Sequence, residues 1–177
     1  METKEVTKKI CGIDIGLHGA LCFITNKDNY TLYDMPTIKI GKRKDVDLAK
    51  FISIIRNEKP HTIIYEDIKS IYQVAKPTML SLGKQIGYVA GIAKVLNINT
   101  YRVAPQVWQK SLLKNIPLMN VNGSYKETFY KSVSLLHTLL PEENIMKDFF
   151  VKTRYHDGKV DAYLLAYYLH LLLTKNS

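Results

Sequence analysis

A chain of 177 residues fits one domain of ordinary size, large enough to bury a single core. Apolar residues make up 46% of the sequence and charged residues 23%, a balance that is typical of globular domains and excludes a largely disordered chain. Lys and Arg outnumber Asp and Glu by 25 to 16, and the net charge of +9 favours a polyanionic partner, although solubility alone would also account for it.

The ends of the chain and its cysteines indicate the compartment. Residues 1–8 are polar and predict a flexible tail before a single domain at 9–177. The tail lacks the apolar segment of a signal peptide, and no run reaches the ~18 apolar residues that a membrane helix needs. Cys11 and Cys22 both stand in apolar stretches, which favours buried free thiols over a disulfide and predicts no zinc site. These features predict a cytoplasmic protein without a membrane partner.

A three-stranded antiparallel meander opens the predicted fold. Apolar runs indicate strands at 9–16 and 20–25, separated by a short turn. The sequence NKDN at 26–29 is a strong turn signal and predicts a third strand at Tyr30–Asp34. Residues 37–44 are then interpreted as a basic loop.

Strands and helices alternate in the middle of the chain. The predicted elements are a helix at 47–57, a parallel strand at 61–66, a polar loop at 68–77, a long helix at 78–96, a strand at 99–103 and a helix at 105–114. Asp45 or Asp47 is the expected cap of the first helix. The long helix carries Gly83, Gly87 and Gly91 on one face, each weakening it by ~1 kcal/mol relative to Ala. Close packing against a neighbour would compensate for this cost.

The last third of the chain is predicted to be mainly helical. The expected elements are a loop at 116–124, a helix at 125–140, an unpatterned connection at 141–155 and an apolar helix at 159–174. The full order predicts an α/β fold with a five-stranded mixed sheet, three antiparallel strands followed by two parallel ones, flanked by helices.

Two carboxylates interrupt strands that are otherwise apolar. Asp14 lies in IDIG and Glu66 closes IIYE, where an ionised side chain is costly unless it is paired or bound to a cation. Asp14 could equally cap a turn through Gly16. If the strands are neighbours in register, both carboxylates project from one side of the sheet. Two such charges ~4 Å apart repel by ~4 kcal/mol at an effective dielectric of about 20, so they need protonation or a shared cation.

A third acidic element begins the last helix. Asp157 and Asp161 are four residues apart and therefore share a helix face. Taken separately, Asp157 is interpreted as an N-cap and Asp161 as a first-turn acid that complements the helix dipole. With Asp14 and Glu66 they form four hard oxygen ligands of the kind that Mg²⁺ or Mn²⁺ prefers. The neighbouring His156 is either a ligand or proton shuttle, or a plain helix cap or surface histidine.

Gathered in one cleft, four acids would hold two divalent ions. One ion would activate a water, and the other would stabilise the leaving 3′ oxygen during in-line attack on a phosphodiester. No Ser-His-Asp or Cys-His arrangement in the sequence competes with this chemistry.

Five segments in order along the chain carry these acids and their neighbours. They are GIDIG around Asp14, IIYED around Glu66, SLGKQIG at 81–87, VAPQVWQKSL at 103–112 and HDGKVDAYLLAYY at 156–168. Together, over about residues 9–172, they resemble the RuvC-type Holliday junction resolvases of the RNase H-like superfamily. The likeness is greatest to the phage-type and chloroplast-type branch, which is compatible with a phage or viral origin.

The resemblance implies an RNase H-like fold and a homodimeric, Mg²⁺- or Mn²⁺-dependent endonuclease. Such enzymes make paired nicks across four-way junctions, leaving 5′-phosphate and 3′-hydroxyl ends. By motif, Asp14, Glu66 and Asp161 match catalytic acids. Bacterial members place their last two ligands three residues apart, a position that is Gly158 here, so Asp157 or His156 is the candidate for the fourth ligand.

Cations that flank the acids are candidate phosphate contacts, although a solvated face is their usual fate. They are Lys69, Lys76, Lys84, Lys110, Lys114, Arg154 and Lys159. Tyr72, in the loop after Glu66, resembles by location the aromatic wedge that members of the family insert into the junction centre. Trp108 is more often a core residue, and the glycines of the long helix fit either a dimer interface or internal packing.

Other classes of protein remain open from the sequence. An actin-like sugar kinase or ATPase also begins with a DxG hairpin, but it needs a second lobe that 177 residues cannot supply. A non-catalytic RNase H-like protein that binds junctions is disfavoured by the intact acids. Among nucleases, Y-junctions, flaps and replication forks are alternative substrates.

Overall fold

A computed structural model describes residues 8–67, 76–119 and 126–175. In chain order the elements are β1 (Ile10–Asp14), β2 (Ala20–Ile24), β3 (Tyr30–Asp34), β4 (Thr37–Ile40), β5 (Arg43–Val46), α1 (Leu48–Glu58), β6 (Thr62–Glu66), α2 (Lys76–Val95), β7 (Asn99–Val103), α3 (Pro105–Leu113), α4 (Glu127–Leu139), α5 (Glu142–Asp148), β8 (Phe150–Val151), β9 (Arg154–Tyr155) and α6 (Asp157–Thr174).

The central sheet has five strands in the order β3-β2-β1-β6-β7. β1, β2 and β3 pair antiparallel, whereas β6 pairs parallel with both β1 and β7. This arrangement confirms the predicted mixed sheet of three antiparallel strands followed by two parallel ones. The meander was predictable because β1 and β2 are short apolar runs, and the strong turn signal at 26–29 separates β2 from β3.

Helices cover both faces of the sheet. One face packs against α3, α4 and α6, with Trp108, Val133 and Leu164 among its fully buried side chains. The other face packs against α1 and α2, with Phe51 and Val89 in its core. Two separate apolar layers therefore hold the sheet in place. No helix in the described segments is both long enough and apolar enough to cross a membrane.

The two cysteines lie on opposite faces of the sheet. Cys11 belongs to the core on the α1 and α2 side, and Cys22 to the core on the α6 side. Both are free and fully buried, which confirms the prediction of buried thiols. Burial raises the pKa of each thiol well above its usual range, so neither is a reactive thiolate at neutral pH.

Local capping decides where α1 begins. The side chain of Asp47 accepts a hydrogen bond from the Lys50 amide at 3.0 Å, so Asp47 is the cap of the two candidates. Asp45 instead accepts from the Val46 amide and from Lys84. The helix ends at Lys59, which adopts a left-handed conformation with φ of 50°.

Two predicted irregular connections contain regular structure. The basic loop at 37–44 is the hairpin β4–β5, whose strands pair from Thr37 with Val46 to Ile40 with Arg43. The connection at 141–155 contains α5 and the short hairpin β8–β9. The first was missed because charged residues on both strands hide the alternation that marks a half-buried strand. The second was missed because two-residue strands are too short to show any period.

Of the two alternatives for the α2 glycines, internal packing against the described residues is not observed. A Cβ added at Gly83, Gly87 or Gly91 would meet no described atom within 4 Å. The helix packs on the sheet through a different face, where Val89 and Ala93 are buried. The glycine face of α2 is thus exposed in the described part of the chain.

Candidate active site

Strand register brings two of the predicted acids to one edge of the sheet. β1 and β6 are parallel neighbours, with Ile13 opposite Tyr65. Asp14 and Glu66 are the last residues of these strands. Both therefore stand at the carboxyl end of the parallel pair.

The last helix carries the other two acids to the same place. α6 begins at Asp157 and packs along β1 so closely that a Cβ at Gly12 would collide with the carbonyl oxygen of Ala162. This contact places Asp161, one turn into α6, beside the end of β1. The charges of Asp14, Glu66 and Asp157 all raise the pKa of Asp161, so the four acids form one electrostatic cluster.

Burial dominates the electrostatics of this acidic cluster. It raises the pKa of Asp161 well above the usual range, and it raises the pKa of Asp14 to about 7, with further contributions from Glu66 and Asp157. Burial also raises the pKa of Asp157, which the neighbouring His156 opposes. Such a group of carboxyls holds protons unless a cation offsets the repulsion between the carboxylates.

The chemistry of the cluster fits divalent cations. Carboxylate oxygens are the ligands that Mg²⁺ and Mn²⁺ prefer. Within the described residues, no three Asp, Glu, His or Cys side chains are arranged closely enough to hold an ion together as they stand. Carboxylates of like charge repel one another, and a bound cation would reverse the sign of the interaction.

A hydrogen bond from the core fixes Glu66. Trp108 Nε1 on α3 donates to Glu66 Oε1 at 2.8 Å, and the indole is fully buried. The bond lowers the pKa of Glu66 while burial, the larger effect, raises it. Trp108 is a core residue, as expected, but the sequence analysis missed its contact with the acid. The signal was available in principle, because a buried indole N–H needs an acceptor.

Gly158 is required by the packing around Asp14. A Cβ at this position would lie 2.7 Å from Asp14 Oδ2 and 2.8 Å from the Gly19 Cα. The position at which the sequence resemblance would place a ligand therefore has no room for a side chain here. Asp157 is the adjacent acid whose charge acts on both Asp14 and Asp161.

The contacts of His156 favour a helix cap over the alternative of a ligand or proton shuttle. Its Nδ1 accepts from the Lys159 amide at 3.2 Å, so a neutral ring carries its proton on Nε2. Nε2 lies 3.6 Å from Asp34 Oδ1, and Lys159 Nζ lies 3.3 Å from the same oxygen. Asp34, which the sequence analysis did not select, thus ties the start of α6 to the end of β3.

The predicted DNA contacts are spread over several elements. Lys110, Lys114 and Arg154 are exposed, whereas Lys84 pairs with Asp45 at 2.6 Å. Lys69 and Tyr72 lie outside the described residues, and of Lys76 only the backbone is described, as the first residue of α2. Lys159 lies in the first turn of α6, two residues after Asp157, and pairs with Asp34.

Comparison with solved structures identifies the fold. No protein-family model matches the sequence, and no curated protein matches it. Thermus thermophilus RuvC aligns with a TM-score of 0.60 at 13% identity, over 95% of this chain and 96% of that one. The same enzyme in complex with a Holliday junction substrate gives 0.58 at 12% identity, over the same shares of both chains. The yeast mitochondrial Holliday junction resolvase Ydc2 gives 0.57 at 15% identity, over 96% of this chain and 82% of that one.

The chain therefore has the RNase H-like fold of the RuvC-type resolvases. The match runs over almost the full length of both Thermus chains, which leaves no large part of the fold unaccounted for. At identities this low, the structural matches establish only the architecture. The particular likeness of the chain to the phage-type and chloroplast-type branch stays a prediction from the motifs.

Proposed function

We propose that this protein is a structure-selective endonuclease that resolves four-way DNA junctions, and other branched DNA, by paired phosphodiester nicks. The observation that carries the proposal is the cluster of four carboxylates at one edge of an RNase H-like sheet, where burial and the neighbouring acids raise the pKa of Asp14 and of Asp161. Its structural neighbours include a RuvC bound to a Holliday junction. The net charge of +9 suits a polyanionic substrate.

Asp14, Glu66, Asp157 and Asp161 would hold two Mg²⁺ or Mn²⁺ ions. When bound, these ions supply an acidified water and neutralise charge on the phosphate and on the leaving 3′ oxygen. The protein's own contribution is to hold the carboxylates in fixed positions. Trp108 restrains one oxygen of Glu66 through the bond at 2.8 Å, and the packing of α6 against β1 sets the position of Asp161.

Paired nicks require two active sites, so the proposal includes a homodimer. Molecular mass in solution, measured by light scattering on the purified protein, tests this part of the proposal. A monomer at the concentration that cuts junctions would contradict it.

Cleavage of a synthetic four-way junction is the direct test of the function. The wild-type protein is expected to nick opposing strands in Mg²⁺ and to leave a linear duplex of the same sequence uncut. Asp14→Asn is expected to lose at least ~10²-fold of this activity, the scale on which loss of one group in a preorganised site acts. Asp28→Asn is the matched control, because Asp28 lies in the exposed turn between β2 and β3.

A junction-binding protein without catalysis is the alternative. It would bind the four-way junction with wild-type and Asp14→Asn proteins alike, and neither would cut it. Wild-type levels of cutting by Asp14→Asn would instead show that the acidic cluster is not the active site. Mapping the ends to 5′-phosphate and 3′-hydroxyl checks the proposed bond cleavage.

A further inference from the structure

The hairpin β4–β5 leaves the sheet at the edge that carries the acidic cluster. Asp14 is opposite Ala20, and Ala20 is opposite Asp34, the last residue of β3. Only Met35 and Pro36 separate β3 from the hairpin, and both are buried. The hairpin is therefore anchored at its base next to the candidate active site.

The hairpin carries an unusual density of unpaired positive charge. Lys39, Lys42, Arg43 and Lys44 are all exposed, and none forms an ion pair with another described residue. Lys39 and Lys44 are directly opposite each other across the two strands. Like charges in this position destabilise a hairpin, so its own folding gives no reason for them.

A groove separates this hairpin from the first half of α2. It has a volume of about 610 Å³ and is lined by Ile40, Arg43, Lys44, Asp45, Leu80, Ser81 and Lys84. The ion pair between Lys84 and Asp45 crosses it at 2.6 Å and neutralises the acid among its described lining residues. Ile40 is 62% exposed and Leu80 is 76% exposed. We call this feature the basic groove.

The basic groove combines charges and apolar surface in the way that a nucleic-acid strand requires. Phosphates need cations, whereas the sugars between them present apolar edges. A strand of four residues, such as β4, is about 13 Å long. That length of duplex carries about four phosphates on each strand. An acidic protein segment would use the cations but gives no reason for the location beside the acidic cluster.

We propose that the basic groove binds the phosphodiester backbone of one DNA arm as that arm leaves the active site. Arg43 and Lys44 contact phosphates, and Ile40 and Leu80 contact the sugars between them. This inference rests on the proposed function, since it assigns one arm of the branched substrate to a surface of the same edge.

Salt dependence of binding tests the assignment. The double variant Arg43→Gln/Lys44→Gln is compared with wild type on a fluorescent four-way junction in EDTA, where no cutting occurs. Each lost phosphate contact reduces the slope of log K against log salt by about 0.9, so the slope should fall by about 2. At 0.1 M salt the Kd should rise roughly 10- to 100-fold. Thermal unfolding confirms that the variant is folded.

The matched control removes one Arg and one Lys from the opposite end of the molecule. Arg56 lines a separate cleft of about 830 Å³ beside the start of β6, and Lys94 is exposed in the last turn of α2. Arg56→Gln/Lys94→Gln should retain the wild-type slope. Equal slopes for wild type and the groove variant, or equal losses in both double variants, would overturn the proposal.

A crosslinking experiment locates the hairpin independently of affinity. Both native cysteines are fully buried, so Lys42→Cys provides the accessible thiol for a photo-crosslinker at the hairpin tip. It should crosslink to an arm of the junction, whereas Lys94→Cys should not. Absence of a DNA adduct from position 42, with junction binding intact, would contradict the assignment.

A protein that binds through the groove but never cuts would overturn the proposed function and leave this inference standing.

Discussion

A single hydrogen bond determines how Glu66 is presented to the acidic cluster. Trp108 Nε1 occupies one carboxylate oxygen and leaves the second for other contacts. The bond also lowers the pKa of Glu66 against the effect of burial, so it favours the ionised form that a cation requires. Trp108 is therefore a positioning residue as well as a core residue.

Trp108→Phe keeps an aromatic ring at this site but removes the donor. We expect a ~10- to 100-fold loss of Mn²⁺ affinity, the effect typical of losing a group that orients a metal ligand. Isothermal titration of the DNA-free protein with Mn²⁺ measures it. Phe149→Leu is the control for lost packing, because Phe149 is fully buried and packs against Tyr30 and Tyr163. Unchanged Mn²⁺ affinity in Trp108→Phe would contradict the positioning role.

At the scale of elements, the backbones of β1 and α6 lie unusually close together beside the candidate site. Gly12 faces the backbone of α6 at Ala162 and Ala166, where a Cβ would collide with main-chain atoms. The glycines of α2 are in the opposite situation, because a Cβ at Gly87 meets no described atom within 4 Å. Substitution by alanine should therefore lower the free energy of unfolding at Gly12 and raise it at Gly87.

Gly12→Ala is expected to lower the free energy of unfolding by ~1–3 kcal/mol, since backbone atoms must move to admit the methyl group. The same movement shifts Asp161, so cutting should fall as well. Gly87→Ala should raise the free energy of unfolding by up to ~1 kcal/mol through helix propensity. Urea denaturation of both variants checks the pair. An unchanged free energy of unfolding in Gly12→Ala would show that the packing of α6 on β1 does not require glycine at position 12.

The elements that the sequence predicted are those with a clear pattern. Strands β1, β2 and β6 are apolar runs, and β3 and β7 are short runs rich in β-branched and aromatic residues. Helix α1 has apolar residues at helical spacing. The hairpin β4–β5 lacked such a pattern because both of its strands carry exposed charge. Periodicity detects burial on one face, so an element exposed on both faces gives no signal.

The acids of the site were predictable for a related reason. Asp14 and Glu66 interrupt buried strands, and a charge in an apolar run is conspicuous in a sequence. The partners of those acids were not predictable, because Trp108 is 42 residues from Glu66 and the contact exists only once α3 packs on the sheet. The requirement for glycine at position 158 was not predictable either. It arises because Asp14 and the β1–β2 turn fill the space that a side chain would occupy.

Across the whole molecule, a group of acids and a group of exposed cations lie at the same edge of the sheet. Two partly buried acids lie at the ends of β1 and β6, and the hairpin β4–β5 with its exposed cations leaves the same edge. A DNA arm bound by the hairpin cations would bring its phosphates near the acids. Because phosphates and carboxylates repel each other, the acids then need bound cations. The acidic cluster should consequently dominate how stability depends on pH and on metal.

Asp14 sets the direction of that pH dependence. Its pKa is raised from 3.8 to about 7, first by burial and then by the charges of Glu66 and Asp157. Below pH 3.8 the carboxyl is protonated in both the folded and the unfolded chain. As the pH rises from about 4 to about 7, only the unfolded chain releases the proton, so the free energy of unfolding falls, by at most ~4 kcal/mol from this group.

Urea denaturation in EDTA at pH 5 and pH 7.5 measures this loss. Asp14→Asn removes the titrating group and should be less sensitive to pH than wild type, whereas Asp28→Asn should behave as wild type does. Mn²⁺ should stabilise the wild-type protein more at pH 7.5 than at pH 5, because its binding competes with protons for the same carboxylates. If wild type and Asp14→Asn lost stability equally between the two pH values, burial of the Asp14 carboxyl would not be the source of the effect.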